Sequence, residues 1–367
     1  MEKMMDGAKW PRRLVGWSMG VLCTALLTPA MAFQNDLRSD APDRYEVVKG
    51  DTLWDISGHF LDNPWQWPEL WEVNTQIANP HLIYPGDIIY LYYRDGQPYL
   101  GVERDRDSVV RLSPRVRRLD PREAIPPLPW DIVRNFLDGN RVVAPGEVAG
   151  VPYVVAGDDQ RIISGAGDRL YVRGEVPLGQ RLGLYRPGQR YSDPDTGEFL
   201  GLEMETLGEA RFLRQEGGIT LLEVTSSRQE IRPGDKVLPL ESLPVTPQFQ
   251  PRMAPATSQG QILSVPGGVR FIGRLDVVAL DLGRRDGVEP GHVLAAEQLG
   301  EIVTDPVTGE TLRLPGEEAG LLMVFHTYER VSYALVMQAS RSLAVGDRVH
   351  APQETAMMAG LGQRQAP

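Results

Sequence analysis

The sequence is poor in cysteine and histidine, and this scarcity argues against several kinds of enzyme. Its single cysteine, Cys23, lies near the amino terminus within an apolar run, so the rest of the chain has no thiol. That part can form no disulfide and supports no cysteine-peptidase or transpeptidase chemistry, which needs a thiolate. The five histidines are scattered, and no HExxH motif occurs. We therefore predict a non-enzymatic protein without a metal or a cofactor.

The amino-terminal segment has the pattern of a secretory signal peptide. Basic residues within 1–13 precede an apolar run, Leu14 to Leu27, and Ala30-Met31-Ala32 supplies a small-residue cleavage site. We expect cleavage after Ala32 and export to the periplasm. The alternative is an uncleaved anchor, although the apolar run is short for a membrane span.

The remaining chain also lacks clusters of lysine and arginine. Removing the four basic and two acidic residues of the signal from totals of 38 and 49 leaves 34 basic and 47 acidic residues, a net charge of −13. An acidic chain without a basic patch is a poor ligand for a phosphate backbone. We therefore expect no nucleic-acid partner.

Tryptophan is concentrated in one segment, and four of the five tryptophans after the signal lie between residues 45 and 93. Tyr45–Val48 reads as a strand, Gly50 as a turn, and Asp51 as the cap of a first helix. This helix carries apolar residues at helical spacing, namely Leu53, Ile56 and Phe60. A second helix is predicted from about Trp67 to Asn74, and Pro85-Gly86 precedes a closing strand, Ile88–Leu91.

This strand-helix-helix-strand segment resembles a LysM domain over its whole length. The specific matches are the GDTLWDIS element, Asn74 and the NPHLIYPGDII ending. The resemblance implies binding of N-acetylglucosamine-containing chains such as peptidoglycan, in a shallow groove between the loop after the first strand and the loop before the second. On this sequence the two walls are Gly50, Asp51, Thr52 and Leu53, and Asn79, Pro80, His81, Leu82 and Ile83.

Each of these residues also has a structural interpretation. Leu53 belongs to the apolar face of the helix, and Gly50 is a turn residue by type. Thr52 and Leu82 are the strongest candidates for direct ligand contact. Tryptophans can stack on sugars, but Trp65, Trp67 and Trp71 are expected to pack the second helix instead.

The carboxyl-terminal half contains an internal repeat. Asp193-Pro194-Asp195-Thr196-Gly197-Glu198 recurs 112 residues later as Asp305-Pro306-Val307-Thr308-Gly309-Glu310, and Gly179 recurs as Gly291. Pro233-Gly234-Asp235-Lys236-Val237 and Val345-Gly346-Asp347-Arg348-Val349 share the same offset. Asp, Pro and Gly in this order favour a hairpin turn between two strands. Each repeat is expected to be a small β barrel or a sandwich.

The order of the parts resembles the type IV pilus secretin-associated proteins (TsaP). The quoted matches are SPRVR at 113–117, AIPPLP at 124–129, PYVVAGD at 152–158, GAGDRLYVRG at 165–174 and YSDPDTGEFLG at 191–201. In that family the carboxyl half resembles the carboxyl-terminal domain of the flagellar protein FlgT, here around GRRDGVEPG at 283–291. The resemblance implies a periplasmic scaffold that anchors an outer-membrane secretin to the cell wall, and a ring of copies around the secretin would make it an oligomer.

The predicted class is therefore α+β and multi-domain, with a small βααβ LysM domain followed by β-rich, FlgT-like repeats. The predicted boundaries are a signal peptide at 1–32, a linker at 33–43, the LysM domain at 44–93, a proline-rich connector at 94–140, repeat 1 at 141–239, a proline-rich linker at 240–267, repeat 2 at 268–351 and a disordered tail at 352–367. A general envelope-maintenance LysM protein and a murein hydrolase activator are the alternatives left open.

Overall fold

The computed structural model describes residues 37–68, 83–94, 97–103, 125–126, 129, 132–133, 136, 140–147, 150–240, 250–266 and 272–352. All of them belong to one compact unit, Phe33–Pro367. The predicted signal peptide, most of the predicted second helix and all but the first residue of the predicted tail lie outside the described residues. Among the described residues, no helix has the length and apolarity needed to cross a membrane.

The amino-terminal module is a three-stranded antiparallel sheet packed against a helix. Its elements are β1 (Arg44–Glu46), α1 (Leu53–Phe60), a 3₁₀ turn (Pro64–Gln66), β2 (Ile88–Arg94) and β3 (Gln97–Glu103), with strand order β1-β2-β3. Leu53, Ile56 and Phe60 bury the predicted face of α1 against the sheet, where Ile89 is fully buried. The order of strand, helix and second strand is therefore as predicted, although the first strand ends at Glu46 rather than Val48.

Strand β3 corrects the predicted end of this module. The sequence predicts a connector over residues 94–140, but Gln97–Glu103 pairs with all of β2, and Leu100 is 1% exposed in the core. Pro98 is tolerated in β3 because β3 is an edge strand, where the missing N–H is not needed. The module therefore extends to about residue 103.

The first repeat is a closed six-stranded barrel. Its strands are β5 (Tyr153–Gly157), β6 (Arg169–Arg173), β7 (Leu182–Ser192), β8 (Phe199–Glu216), β9 (Ile219–Ser227) and β10 (Lys236–Pro239). They pair in the circular order β5-β6-β9-β8-β7-β10, and β10 returns to β5. An additional strand, β4 (Asn140–Val143), pairs with β8.

The second repeat forms the same closed barrel. Its strands are β12 (Gln259–Ser264), β13 (Val277–Leu280), β14 (His292–Gln298), β17 (Glu317–Thr327), β18 (Ser332–Ala339) and β19 (Arg348–His350), and they pair in the equivalent order. Here β11 (Arg252–Met253) runs parallel to β14, and β15 (Ile302–Thr304) pairs with β16 (Thr311–Arg313) as a separate ribbon. Of the two alternatives, barrel and sandwich, the barrel is therefore the one found.

Strands β11 and β12 correct the predicted start of the second repeat. Both fall in the segment predicted to be a proline-rich linker, 240–267, yet Ile262 is 1% exposed in the core of the second barrel. Pro251 and Pro255 lie just outside the ends of the short β11, where they interrupt no hydrogen bond between central strands. The second barrel therefore begins near residue 250.

The amino-terminal module packs against the second barrel through the face of α1 that points away from its own sheet. Trp54 and Trp65 are 2% and 5% exposed, and both belong to the apolar cluster that includes Tyr333 and Phe325 of the second barrel. Arg274 also donates to the Asp55 carboxylate. Ile132, Val133 and Phe136, which are helical, also pack in this cluster.

Candidate functional site

The first predicted wall begins with a tight turn after β1. Gly50 has φ of +105°, a conformation that a residue with a Cβ adopts only with strain. The Asp51 carboxylate accepts hydrogen bonds from the Val48 amide (2.8 Å) and from the Tyr45 hydroxyl (3.0 Å). Burial, reinforced by this carboxylate, raises the pKa of Tyr45 to about 12. Asp51 thus fixes the turn.

The predicted cap of α1 is wrong by one residue. Thr52, not Asp51, is the N-cap: its Oγ1 accepts from the Asp55 amide, and the Asp55 carboxylate accepts from the Thr52 amide, each at 3.2 Å. This reciprocal pair is a capping box, a preferred way to satisfy the unpaired amides of a helix start. The sequence T-x-x-D carries this signal, but Asp51 is also a good capping residue by type.

The capping role changes the interpretation of Thr52 as a ligand contact. Its side chain is 5% exposed, and its hydroxyl also donates to the Asp55 carboxylate at 2.7 Å. Leu53 is 2% exposed and belongs to the core of the module. On this wall only Gly50 and Asp51 reach the surface, so Thr52 and Leu53 can take part mainly through backbone groups.

The second predicted wall is described only at Ile83. Asn79, Pro80, His81 and Leu82 lie outside the described residues. Ile83 is fully buried, and its side chain packs in the same core as Leu53. The Ile83 carbonyl oxygen can accept a hydrogen bond on the second wall. The Leu53 amide, at the first turn of α1, can donate one on the first wall.

Both of these backbone groups are engaged by a later segment of the chain. The Leu53 amide donates to the Pro126 carbonyl at 3.1 Å, and the Ile125 amide donates to the Ile83 carbonyl at 2.9 Å. The Ile125 side chain is 4% exposed and belongs to the core cluster of the module. The dipeptide Ile125-Pro126 therefore bridges the two predicted walls.

Sequence reasoning missed this contact. A residue before proline favours an extended backbone, so the Ile125-Pro126 sequence predicts a strand-like peptide. No local pattern, however, states which surface such a peptide will cover.

The described tryptophans are packing residues. Trp67 is 2% exposed in the core of the amino-terminal module, and Trp54 and Trp65 face the second barrel. Their burial leaves no open ring face for a sugar. The predicted packing of Trp65 and Trp67 against the second helix stays a prediction, because most of that helix lies outside the described residues. Trp71 lies outside the described residues.

The described walls do not supply the machinery for glycoside cleavage. Such cleavage ordinarily needs two carboxyl groups on opposite sides of the bond. Among the described wall residues Asp51 is the one carboxylate, and it is held by the turn. Within the described part of the chain, no group of three or more His, Cys, Asp or Glu residues is arranged to hold a metal. The arrangement offers backbone hydrogen-bonding groups beside apolar side chains, which suits binding.

Comparisons with known proteins identify the same segment. Residues 45–91 match the LysM domain. The uncharacterized protein YqbP of Bacillus subtilis (strain 168) is 41% identical over 56 residues, which is 12% of this chain and 26% of that protein. The chain thus spans about a quarter of the length of this relative, and the similarity concerns the amino-terminal module alone. A LysM domain is a binding domain for peptidoglycan and related carbohydrates, and residues 45–91 form one.

Proposed function

We propose, from the LysM domain at residues 45–91, that the protein is a non-catalytic periplasmic scaffold that holds peptidoglycan through this domain and a protein complex through its barrels. The observation that carries the proposal is the LysM match together with a groove whose described groups are backbone donors, backbone acceptors and apolar side chains. We further propose that the complex is the outer-membrane secretin of a type IV pilus. This partner rests on the order of domains and on the resemblance to TsaP.

The groove chemistry suits an N-acetyl group. Such a group has one N–H donor, one carbonyl acceptor and one methyl. The Leu53 amide and the Ile83 carbonyl offer a donor and an acceptor, and buried aliphatic side chains lie beside them. Groups this small support an affinity of roughly micromolar to millimolar for a single site.

Ile125-Pro126 presents the same three features to these groups: an N–H, a carbonyl and an aliphatic side chain. A glycan that uses the Leu53 amide and the Ile83 carbonyl must therefore displace the dipeptide. We propose that the groove is self-occupied when no glycan is present and that glycan binding is coupled to release of this segment.

Co-sedimentation of the full chain with insoluble peptidoglycan tests the binding proposal. N-acetylglucosamine tetramers should release the protein from the pellet, whereas glucose tetramers of the same length, which lack N-acetyl groups, should not. The supernatant should contain no released muropeptides. Equal competition by both tetramers would contradict recognition of the N-acetyl group, and muropeptide release would contradict the non-catalytic assignment.

The secretin proposal has a separate test. Envelopes are digested with a muramidase, solubilised in mild detergent and passed over the immobilised full chain. Retention of the secretin after the wall has been removed supports a direct contact. Retention only when peptidoglycan is intact would mean that the wall bridges the two proteins, and the secretin would then not be a direct partner.

A further inference from the structure

The two copies of the repeated turn have the same internal geometry. In the first barrel, Asp193 Oδ1 accepts from the Thr196 amide at 2.8 Å, and the Gly197 amide donates to the Asp193 carbonyl at 2.9 Å. In the second barrel, Asp305 Oδ1 accepts from the Thr308 amide at 3.3 Å, and the Gly309 amide donates to the Asp305 carbonyl at 2.9 Å. Each turn therefore presents its following glutamate, Glu198 or Glu310, in the same way.

The first turn is docked onto the second barrel. Glu198 accepts hydrogen bonds from two guanidinium groups, Arg285 at 2.9 and 3.1 Å and Arg330. Asp195 accepts from the Gln261 side chain at 3.1 Å. Just beyond the turn, Leu200 is 2% exposed and belongs to the apolar cluster that continues into the second barrel. An acidic turn with an apolar base thus forms the contact between the barrels.

The second turn has the same chemistry but is exposed to solvent. It lies at the tip of residues 299–316, which we call the arm and which include the β15–β16 ribbon. Glu310 is exposed and forms no ion pair with any residue that the structure describes. Leu312 occupies the position of Leu200, 112 residues on, yet it is 41% exposed. The other exposed large apolar side chains of the arm are Ile302 (61%), Val307 (90%) and Leu314 (46%).

We propose that the arm is a docking element for a different protein, which presents a pair of arginine guanidinium groups beside an apolar surface, as the second barrel does for the first. The contact within this chain is the argument for charge complementarity, because the first copy of the acidic turn already binds two arginines. Exposed apolar side chains on a ribbon, here Leu312 and Leu314 on one face, are also typical of an interaction surface. The proposal is independent of the glycan groove.

In a second copy of this chain, the described surface that binds the first acidic turn is already occupied. Its Arg285 and Arg330 are already engaged by its own Glu198. The first barrel has Gly217-Gly218 at the β8–β9 turn, which corresponds to the β17–β18 turn that carries Arg330. We therefore assign the matching arginine pair to another protein, and capture of a second copy of this chain is an outcome of the test.

In-cell photo-crosslinking tests the proposal. A photoreactive phenylalanine replaces Val307 in the full chain, expressed at its native level in its native host, and the crosslinked peptide is identified by mass spectrometry. The same replacement at Glu216, exposed at the tip of the β8–β9 hairpin, is the control position. A second chain carries Glu310→Arg together with the probe at Val307.

The expected result is an adduct at 307, and not at 216, with a peptide of another protein that contains or adjoins arginine. Glu310→Arg should reduce this adduct about tenfold or more, and changing the partner arginine to glutamate should restore it. An adduct unaffected by Glu310→Arg, an adduct with a second copy of this chain, or no adduct at 307 would each overturn the proposal. Wild-type peptidoglycan binding by the Glu310→Arg chain would show that the two surfaces are separate.

Discussion

Replacing Ile125 with alanine is expected to increase the affinity of the chain for N-acetylglucosamine oligomers. The wild-type dipeptide Ile125-Pro126 is held by two backbone hydrogen bonds and one buried aliphatic side chain. Burial of an isoleucine contributes about 2–3 kcal/mol, and two hydrogen bonds contribute about 1 kcal/mol each. Ordering two residues costs about 1–2 kcal/mol each. The central value of the net docking free energy is then about 1.5 kcal/mol, so the groove is open about a tenth of the time.

The affinity gain follows from this occupancy. A ligand that binds only the open groove has an apparent dissociation constant larger than the intrinsic one by the inverse of the open fraction. Ile125→Ala removes about 2 kcal/mol of burial, which leaves the segment largely undocked. The apparent dissociation constant for a chito-oligosaccharide should therefore fall about tenfold.

Isothermal titration calorimetry with N-acetylglucosamine tetramers measures this change. The matched control is Leu170→Ala, a core truncation in the first barrel, where Leu170 is fully buried. It destabilises the protein at a distance from the groove and should leave the dissociation constant unchanged. If Ile125→Ala is folded by circular dichroism and binds no more tightly than the wild type, the dipeptide does not compete with the glycan.

Three further predictions concern stability. Burial raises the pKa of Asp281 to about 6, so this carboxyl group destabilises the folded state increasingly as pH rises from about 4 through 6. Asp281→Asn keeps an acceptor for the Gln261 amide. In urea unfolding it should stabilise the protein by about 2–3 kcal/mol at pH 7 and have little effect at pH 4. Burial, with nearby arginines, lowers the pKa of His326 to about 4; stability from its neutral form is therefore present above pH 6.5 and lost as pH falls toward 4, by about 3 kcal/mol. These two effects oppose each other, so Asp281→Asn should make the protein more acid-sensitive than the wild type. A pH profile unchanged by the substitution would refute the Asp281 assignment, and a variant equally stable at pH 7 and pH 4 would refute the His326 assignment. Thr52→Ala should cost about 1 kcal/mol in the same assay through loss of the helix cap, whereas Thr52→Ser should be nearly neutral; equal losses for both would contradict the cap.

Much of the local structure follows from the sequence because its signals are local. The apolar spacing of Leu53, Ile56 and Phe60 predicts one face of α1, and that face is buried as expected. The repeated Asp-Pro-x-Thr-Gly-Glu turns both form hairpin tips, since proline, glycine and an aspartate side chain act within a few residues. The cap was misplaced by one residue because Asp51 and Thr52 are both suitable caps, and only the positions of Tyr45 and Val48 assign Asp51 to the turn.

The contacts between modules were decided by the tertiary structure alone. Trp54 lies beside the predicted core face of α1, but only the position of the second barrel explains why it is buried. The same applies to Ile125, whose neighbours in space are Leu53 and Ile83.

The two copies of the repeated turn show the distinction most clearly. Their sequences predict the same hairpin, and the hairpins are the same, yet Glu198 is held by two arginines and Glu310 is exposed. The sequence by itself determined the LysM segment, the repeats and their turns, because backbone preference and side-chain spacing act over a few residues. The occupation of the groove by Ile125-Pro126, the burial of the first turn and the exposure of the arm depend on contacts between segments that are distant in the sequence. Such contacts exist only in the assembled fold.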